Sequence, residues 1–291
     1  MSQFENFPQD GSDFSVYPPS ATNLLQQILA NLEANVEHLK WKEICLRQGG
    51  RDAFSIMLET AFELSYMGEQ QTLFRKNDSA NDALIAIWLA NVFRSAKSFL
   101  VKSPRREFKS LSLDALPKIA QLSVDINSPR TISAYLWEHF GIALIFEKAF
   151  SGMKLDGLVT RMKSGNPLIG MSLRYSRYDY FWFTLMHELS HVALHYELLD
   201  SPIVDDTDQY QDSEVEKEAN RLASDSMISR RLFNKAEVNR TRSQQDLESL
   251  ATEASIHPIV AAGLVRHSQR NFEIFSKMVN SVDVRSMLGM T

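Results

Sequence analysis

The chain has 291 residues, 44 % of them hydrophobic, and a formal net charge of −5 from 31 Lys and Arg against 36 Asp and Glu. That length allows one large domain or two smaller ones with a real core, and the acidic balance, without a strongly basic block, argues against nonspecific DNA binding as the main activity. The single cysteine, Cys45, excludes an internal disulfide and suits a reducing compartment. The stretch MSQFENFPQDGSDF lacks the basic and apolar regions of a signal peptide. No stretch reads as approaching the roughly 20 apolar residues of a membrane span, so a soluble, cytoplasmic protein is expected.

Residues 1–19 hold Gly, Pro, Ser and Asp and end in Tyr17-Pro18-Pro19, which reads as a flexible lead. Ser20 or Thr22 is placed to cap a helix with Leu24, Leu25, Ile28, Leu29, Leu32, Val36 and Leu39 at 3.6-residue spacing, broken by Gly49-Gly50. Helices are predicted from Ala53 to about Met67 and from Asn81 to Val101; the second contains ALIAIWLANVF, apolar enough to be buried. Residues 20–101 therefore read as an N-terminal helical domain. Cys45, between Ile44 and Leu46, reads as a plain core residue; a thiolate capping a metal is the alternative. Lys102 to Lys109, KSPRREFK, with its proline and basic side chains, is the expected domain boundary and a solvated linker, with a phosphate-contacting patch as the alternative.

Asp114 to Leu122 reads as a short helix. Ser128-Pro129 starts another that runs through Ile132, Tyr135, Leu136 and Phe140 and ends at Gly141. The period then changes. Ile142 to Phe146, IALIF, is a buried strand by length and β-branching. GLVTRM from Gly157 and PLIGMSLR from Pro167, joined by Lys163-Ser164-Gly165-Asn166, read as an antiparallel hairpin. Pro167 suits an edge or strand start, and an open edge there would offer an extended peptide a place to add as a strand. Arg174, Tyr175, Tyr178 and Tyr180 follow. Any of them is a candidate to stabilise a developing oxyanion, set against plain aromatic packing at a turn.

Phe181 to Tyr196, FWFTLMHELSHVALHY, holds an H-E-x-x-H motif at His187, Glu188 and His191. Residues i and i+4 share one helix face and rise about 6 Å, so both imidazoles can converge on one zinc ion. Glu188, beside the first ligand, is the candidate general base toward the attacking water. Chance occurrence is the bland alternative, but two histidines on so apolar a helix require buried partners. His195 extends the row to i+8, about 12 Å from His187 along the axis, too far to share the ion. A third ligand is expected from Ser213 to Ile228, SEVEKEANRLASDSMI, whose Val215, Ala219, Leu222, Ala223 and Met227 repeat at helical spacing. Glu214, Glu216 and Glu218 are its candidates, with a solvated acidic face as the reading for the rest. The acidic stretch from Tyr196 to Gln211 is expected to be a polar loop bordering the cleft.

The final residues read as helical again. Asp246 to Ala254 and Ile259 to Arg266, around Ser255-Ile256-His257-Pro258, make a helix-turn-helix-like pair. With only Arg266 and His267 near its end, packing against the core is expected rather than DNA reading. Phe272 to Leu288 reads as one amphipathic helix.

FWFTLMHELSHVALH followed by EKEAN resembles the ImmA/IrrE family of zinc metallopeptidases, over roughly Leu111 to Arg266 and most closely from Pro167 to Ser229. The resemblance implies Glu216, four residues before the marker Asn220, as third ligand, with Glu218 as its competitor. Phe74-Arg75-Lys76 followed by IAIWLANV resembles the joining segment of HigA-like regulators of that family, although no convincing helix-turn-helix precedes it. Taken together, the expectation is an α+β fold: mostly helical, with a small antiparallel sheet beside a zincin-like H-E-x-x-H helix. The expected divisions are 1–19, 20–101, a peptidase domain at 111–235 and a C-terminal helical region at 236–291. The expected chemistry is zinc-dependent endopeptidase action by His187, His191, Glu216 and Glu188. The resemblance implies a protein substrate, a helix-turn-helix repressor cut to switch on stress, phage or defence genes; the lack of an apolar span is what argues against a membrane partner. The other class is a non-enzymatic, antitoxin-like regulator with a structural zinc. The intact Glu188 counts against it, because a structural site needs no base. The N-terminal helices are expected to dock beside the cleft and control access or partner choice.

Overall fold

The computed structural model describes residues 26, 28–30, 32–35, 37–66, 80–200, 203–204 and 213–290. The 1–19 lead, the Phe74-Arg75-Lys76 segment and most of the acidic 196–211 loop lie outside the described residues. The described residues between 26 and 34 are helical, and a turn follows before α1 (Trp41–Arg47). Next come α2 (Ala53–Tyr66), α3 (Ala80–Lys102), α4 (Ala115–Gln121) and α5 (Ile132–Phe140). Strands β1 (Ala143–Phe146), β2 (Gly157–Arg161) and β3 (Pro167–Met171) lead into the long α6 (Tyr178–Leu194). After β4 (Ile203–Val204) the chain is helical: α7 (Glu214–Met227), α8 (Arg230–Lys235), α9 (Val238–Thr241), α10 (Gln244–Ala254), α11 (Pro258–Ser268), α12 (Ser276–Val279) and α13 (Val284–Met287). The α+β class follows.

The sheet has four strands in the order β1-β3-β2-β4. The β2–β3 hairpin is antiparallel, but β1 runs parallel to β3 with Ala143 opposite Leu168, so the sheet is mixed rather than antiparallel. The reason is the connection. Residues 147–156 carry the chain across β3 instead of folding back as a hairpin, a long-range pairing that strand periodicity does not encode. This makes β3, with Pro167 as its first residue, a central strand. The outer edge of β2 is occupied by β4 opposite Leu158 and Val159, so the open edge expected for a substrate strand is covered there.

Both sheet faces are apolar because both are covered. Leu144, Val159, Ile169 and Met171 pack with α6; Ala143, Ile145, Leu158 and Leu168 pack with α3. Alternate residues thus serve opposite layers. A Cβ on Gly170 would stand 3.1 Å from both Trp88 and Val92, so glycine lets α3 lie close on the strand. Trp88 is fully buried and donates its indole N–H to the Glu147 carbonyl at 2.7 Å. Residues 81–102 are long and apolar enough to cross a membrane by length and composition, which corrects the reading that no stretch approaches such a span; in the fold the apolar side chains between Ala83 and Ala96 are buried in protein, while Val101 is exposed.

The N-terminal helices therefore lie across the sheet from the H-E-x-x-H helix, not beside it. They do brace the loop 147–156, through Arg47 to the Lys148 and Ala149 carbonyls and through the Lys154 amide to Asn81. Cys45 packs on this same side, away from the histidines, where a thiolate cap on the metal has no support. The KSPRREFK segment is fastened down: Trp137 Nε1 donates to the Pro104 carbonyl, and Asn166 donates to the carbonyls of Arg106 and Gly141.

The C-terminal helices pack on α6. The α10–α11 pair buries Leu247, Leu250, Ile259, Val260 and Val265 in the same core. The single helix predicted from Phe272 to Leu288 is instead two short helices. Phe275 takes a positive φ before α12, and Asp283 caps α13 by accepting from the Ser286 N–H while Val284 bonds to Ser176. Those tertiary bonds to the segment leading into α6 outweigh helical periodicity.

Candidate metal centre and its cleft

Two helices supply the centre. On α6 the motif residues occur in an apolar run, so packing Leu185, Met186, Leu189 and Val192 into the core carries His187, Glu188 and His191 inside as well. On α7 Ser213 caps the N-terminus by accepting from the Glu216 N–H, which sets Glu216 in the first turn. Buried Ala219 and Ala223 give α7 a small-residue face, and the helices come close enough for Glu216 to reach across. Glu216 Oε2 lies 3.1 Å from His187 Nε2, its Oε1 lies 3.4 Å from His191 Nε2, and the two Nε2 atoms are 3.0 Å apart.

These three residues are all buried, and their ligand atoms lie within 4.8 Å of one another. Two imidazole nitrogens and one carboxylate suit zinc, and a tetrahedral ion with bonds of about 2.0–2.1 Å would set its ligand atoms about 3.3 Å apart. The observed triangle fits that requirement. Burial would raise the Glu216 carboxyl, but the His187 and His191 rings that face it outweigh burial and hold the group at about 2, so it is a carboxylate at neutral pH. Burial lowers His191 from its ordinary value, which favours the neutral ring a metal needs.

The outward-facing nitrogens of both rings are also held. His187 Nδ1 lies 3.0 Å from Asn220 Oδ1, an acceptor, so Nδ1 carries the proton and Nε2 presents its lone pair to the centre. For His191 the same result comes through two links. Glu218 Oε2 is 3.1 Å from His195 Nε2, and His195 Nδ1 is 3.1 Å from His191 Nδ1. A carboxylate only accepts, so His195 donates from Nε2, accepts at Nδ1, and leaves His191 Nε2 as the free lone pair. The structure thus brings Glu216 to the histidines and gives Glu218 to His195. Residue spacing excluded His195 as a ligand, and its role as a link was missed; only tertiary contact with α7 reveals it.

Glu188 is buried against β2, where a Cβ on Gly157 would collide with its carboxylate. Glycine at that strand position makes the room the side chain occupies. Beside the centre is a cavity of about 640 Å³ whose wall includes Glu216, Asn220, Asp156, Phe183, Tyr180 and Arg266. Of the three converging residues it is Glu216 that reaches this wall. Asp156 is raised by burial, opposed by Arg174, which donates from Nε and Nη2 at 2.9 and 3.0 Å. Tyr175 and Tyr180 stack 4.6 Å apart on the wall. Tyr178 points elsewhere: its hydroxyl donates to the Ser123 carbonyl at 2.8 Å, so it is no oxyanion partner but a packing residue.

No curated protein and no solved structure matches the chain. Residues 138–262 match the family model described as IrrE N-terminal-like domain, Peptidase_M78. The match starts in α5 and ends in α11, so it takes in the whole sheet and both helices of the triad. Over those residues the chain is thus similar to the IrrE N-terminal-like domain of a peptidase family.

Proposed function

We propose that the protein is a zinc-dependent endopeptidase in which His187, His191 and Glu216 hold the metal and Glu188 is the general base. The observation that carries this reading is the buried convergence of His187, His191 and Glu216 from two helices, with a carboxylate next in sequence to the first histidine. Zinc bound there would supply a Lewis acid that polarises the scissile carbonyl and makes water more acidic.

The chain's own groups do the rest. Asn220 and the His195–Glu218 pair keep both histidines in the tautomer that presents Nε2. Glu188 takes a proton from the attacking water at its carboxylate and returns it to the leaving amine. Its buried position under β2 excludes bulk water from that carboxylate. The cavity bounded by Asp156, Arg174, Tyr175 and Tyr180 receives the peptide on the Glu216 side.

The substrate is a helix-turn-helix repressor, as the family resemblance implies, and the protein acts in the cytoplasm. Glu188→Gln should retain one equivalent of zinc by elemental analysis and lose cleavage. A Glu188→Gln protein with wild-type turnover would refute the mechanism. Co-purification with the products of neighbouring genes, followed by a cleavage assay on each, tests the choice of substrate.

A further inference from the structure

Arg266 in α11 lies on the wall of the same cavity and is only 4 % exposed. Its Nη2 donates to the Phe272 carbonyl, while Nε and Nη1 are fully buried and have no hydrogen-bond partner among the described residues. A buried guanidinium with unsatisfied N–H groups is costly, because a cation that leaves water requires a counter-charge or acceptors. The nearby carboxylates are already committed. Asp156 is held by Arg174, and Asp179 by Nε and Nη2 of Arg177. Gly263 lets α11 press against Asp179, where a Cβ would come within 2.7 Å of Oδ2. Arg174 and Arg177 thus occupy the two aspartates of this wall, and among the described residues the Arg266 guanidinium keeps only its bond from Nη2 to Phe272. Val260, Leu264 and Phe272 give its surroundings an apolar lining in which a charge-assisted bond gains strength.

We propose that Arg266 forms a carboxylate-binding subsite of the cleft, so that the preferred substrate carries an acidic group a short distance from the cut bond. The subsite rests on the peptidase reading, since Glu216 and Arg266 border one cavity. An aspartate or glutamate side chain and the free carboxyl end of a peptide share the required chemistry.

The test is digestion of a proteome-derived peptide library by the zinc-loaded full chain, with cut sites read by mass spectrometry and a duplicate library carrying amidated C-termini. The expected result is chelator-sensitive cleavage with Asp or Glu enriched about tenfold at one fixed position, the low end of what one hydrogen bond to a charged group contributes. If the terminal carboxylate is the ligand, cuts instead fall at a fixed distance from the C-terminus and disappear in the amidated library. Arg266→Gln should lose either preference while still cutting other peptides, and Arg266→Lys should keep part of it. Chelator-sensitive cleavage with neither preference, or a preference retained in Arg266→Gln, overturns the subsite but leaves the peptidase intact. A library left uncut with or without chelator overturns the peptidase reading and the subsite with it.

Discussion

Gly157→Ala isolates the proposed base from the metal. Gly157 does not use the left-handed backbone region, so alanine fits the strand, and by restricting the unfolded chain it would add about 0.4–1 kcal/mol of stability. The new methyl group would, however, occupy the space of the Glu188 carboxylate, a side chain only 1 % exposed and with little room to retreat. Moving it off its rotamer costs about 0.5–1.5 kcal/mol, so the two effects nearly cancel and Tm should change by only a few degrees. Turnover should not be spared. A positioned general base contributes about 10²–10⁴-fold, and displacing one should remove at least the lower figure, about 2.7 kcal/mol of barrier. The assay compares kcat on a peptide cut by the wild-type protein, zinc content by elemental analysis, and thermal unfolding on one preparation. Unchanged zinc and a Tm within a few degrees of wild type, with a kcat about 100-fold lower, is expected. Wild-type kcat in Gly157→Ala would mean that Glu188 in this position is not the base.

Three other outcomes follow from the packing. Glu216→Gln should abolish stoichiometric zinc binding, whereas Glu218→Gln and His195→Phe should weaken it about 10–100-fold in a chelator competition, the usual effect of losing a group that orients a ligand; zinc loss only in Glu218→Gln would reverse the assignment of the third ligand. Trp88→Ala should cost about 3–5 kcal/mol in urea unfolding, while Phe54→Ala, at a side chain 65 % exposed, should stay within about 0.5 kcal/mol. Deleting residues 1–101 uncovers Ala143, Ile145, Leu158 and Leu168 and should give an aggregating product by light scattering; a monodisperse, active fragment would show that α3 is dispensable to the sheet.

Much of this arrangement was legible in the chain. The spacing of His187 and His191, the apolar run around them and the strands IALIF, GLVTRM and PLIGM come from local periodicity, which the helices and strands obey. Glu216 was legible only through family resemblance, because three glutamates within five residues of α7 differ in direction, and direction is set by how α7 lies on α6. Contacts between segments far apart in sequence were not legible: the parallel β1–β3 pairing, the His195–Glu218 link, the covered edge of β2, and Arg266 facing a cavity shared with α7. The helix predicted from Phe272 failed for the same reason, since Asp283 and Val284 bond to Ser176, 107 residues away for Asp283.

The two strand glycines also bear on register. A sheet with one wet face is aligned by polarity, since a one-residue slip turns apolar side chains into water. Here both faces are dry, and a slipped strand would still bury apolar groups, so polarity discriminates poorly. Size discriminates instead. Gly157 faces α6, where Glu188 needs room, and Gly170 faces α3, where Trp88 and Val92 approach. Shifting β3 by one residue would drive the Ile169 or Met171 side chain into the space kept for the tryptophan, and the same shift in β2 would set Leu158 against Glu188. The glycines act as notches of a key, one cut for each layer, so alignment of the sheet and clearance for the proposed base are specified together.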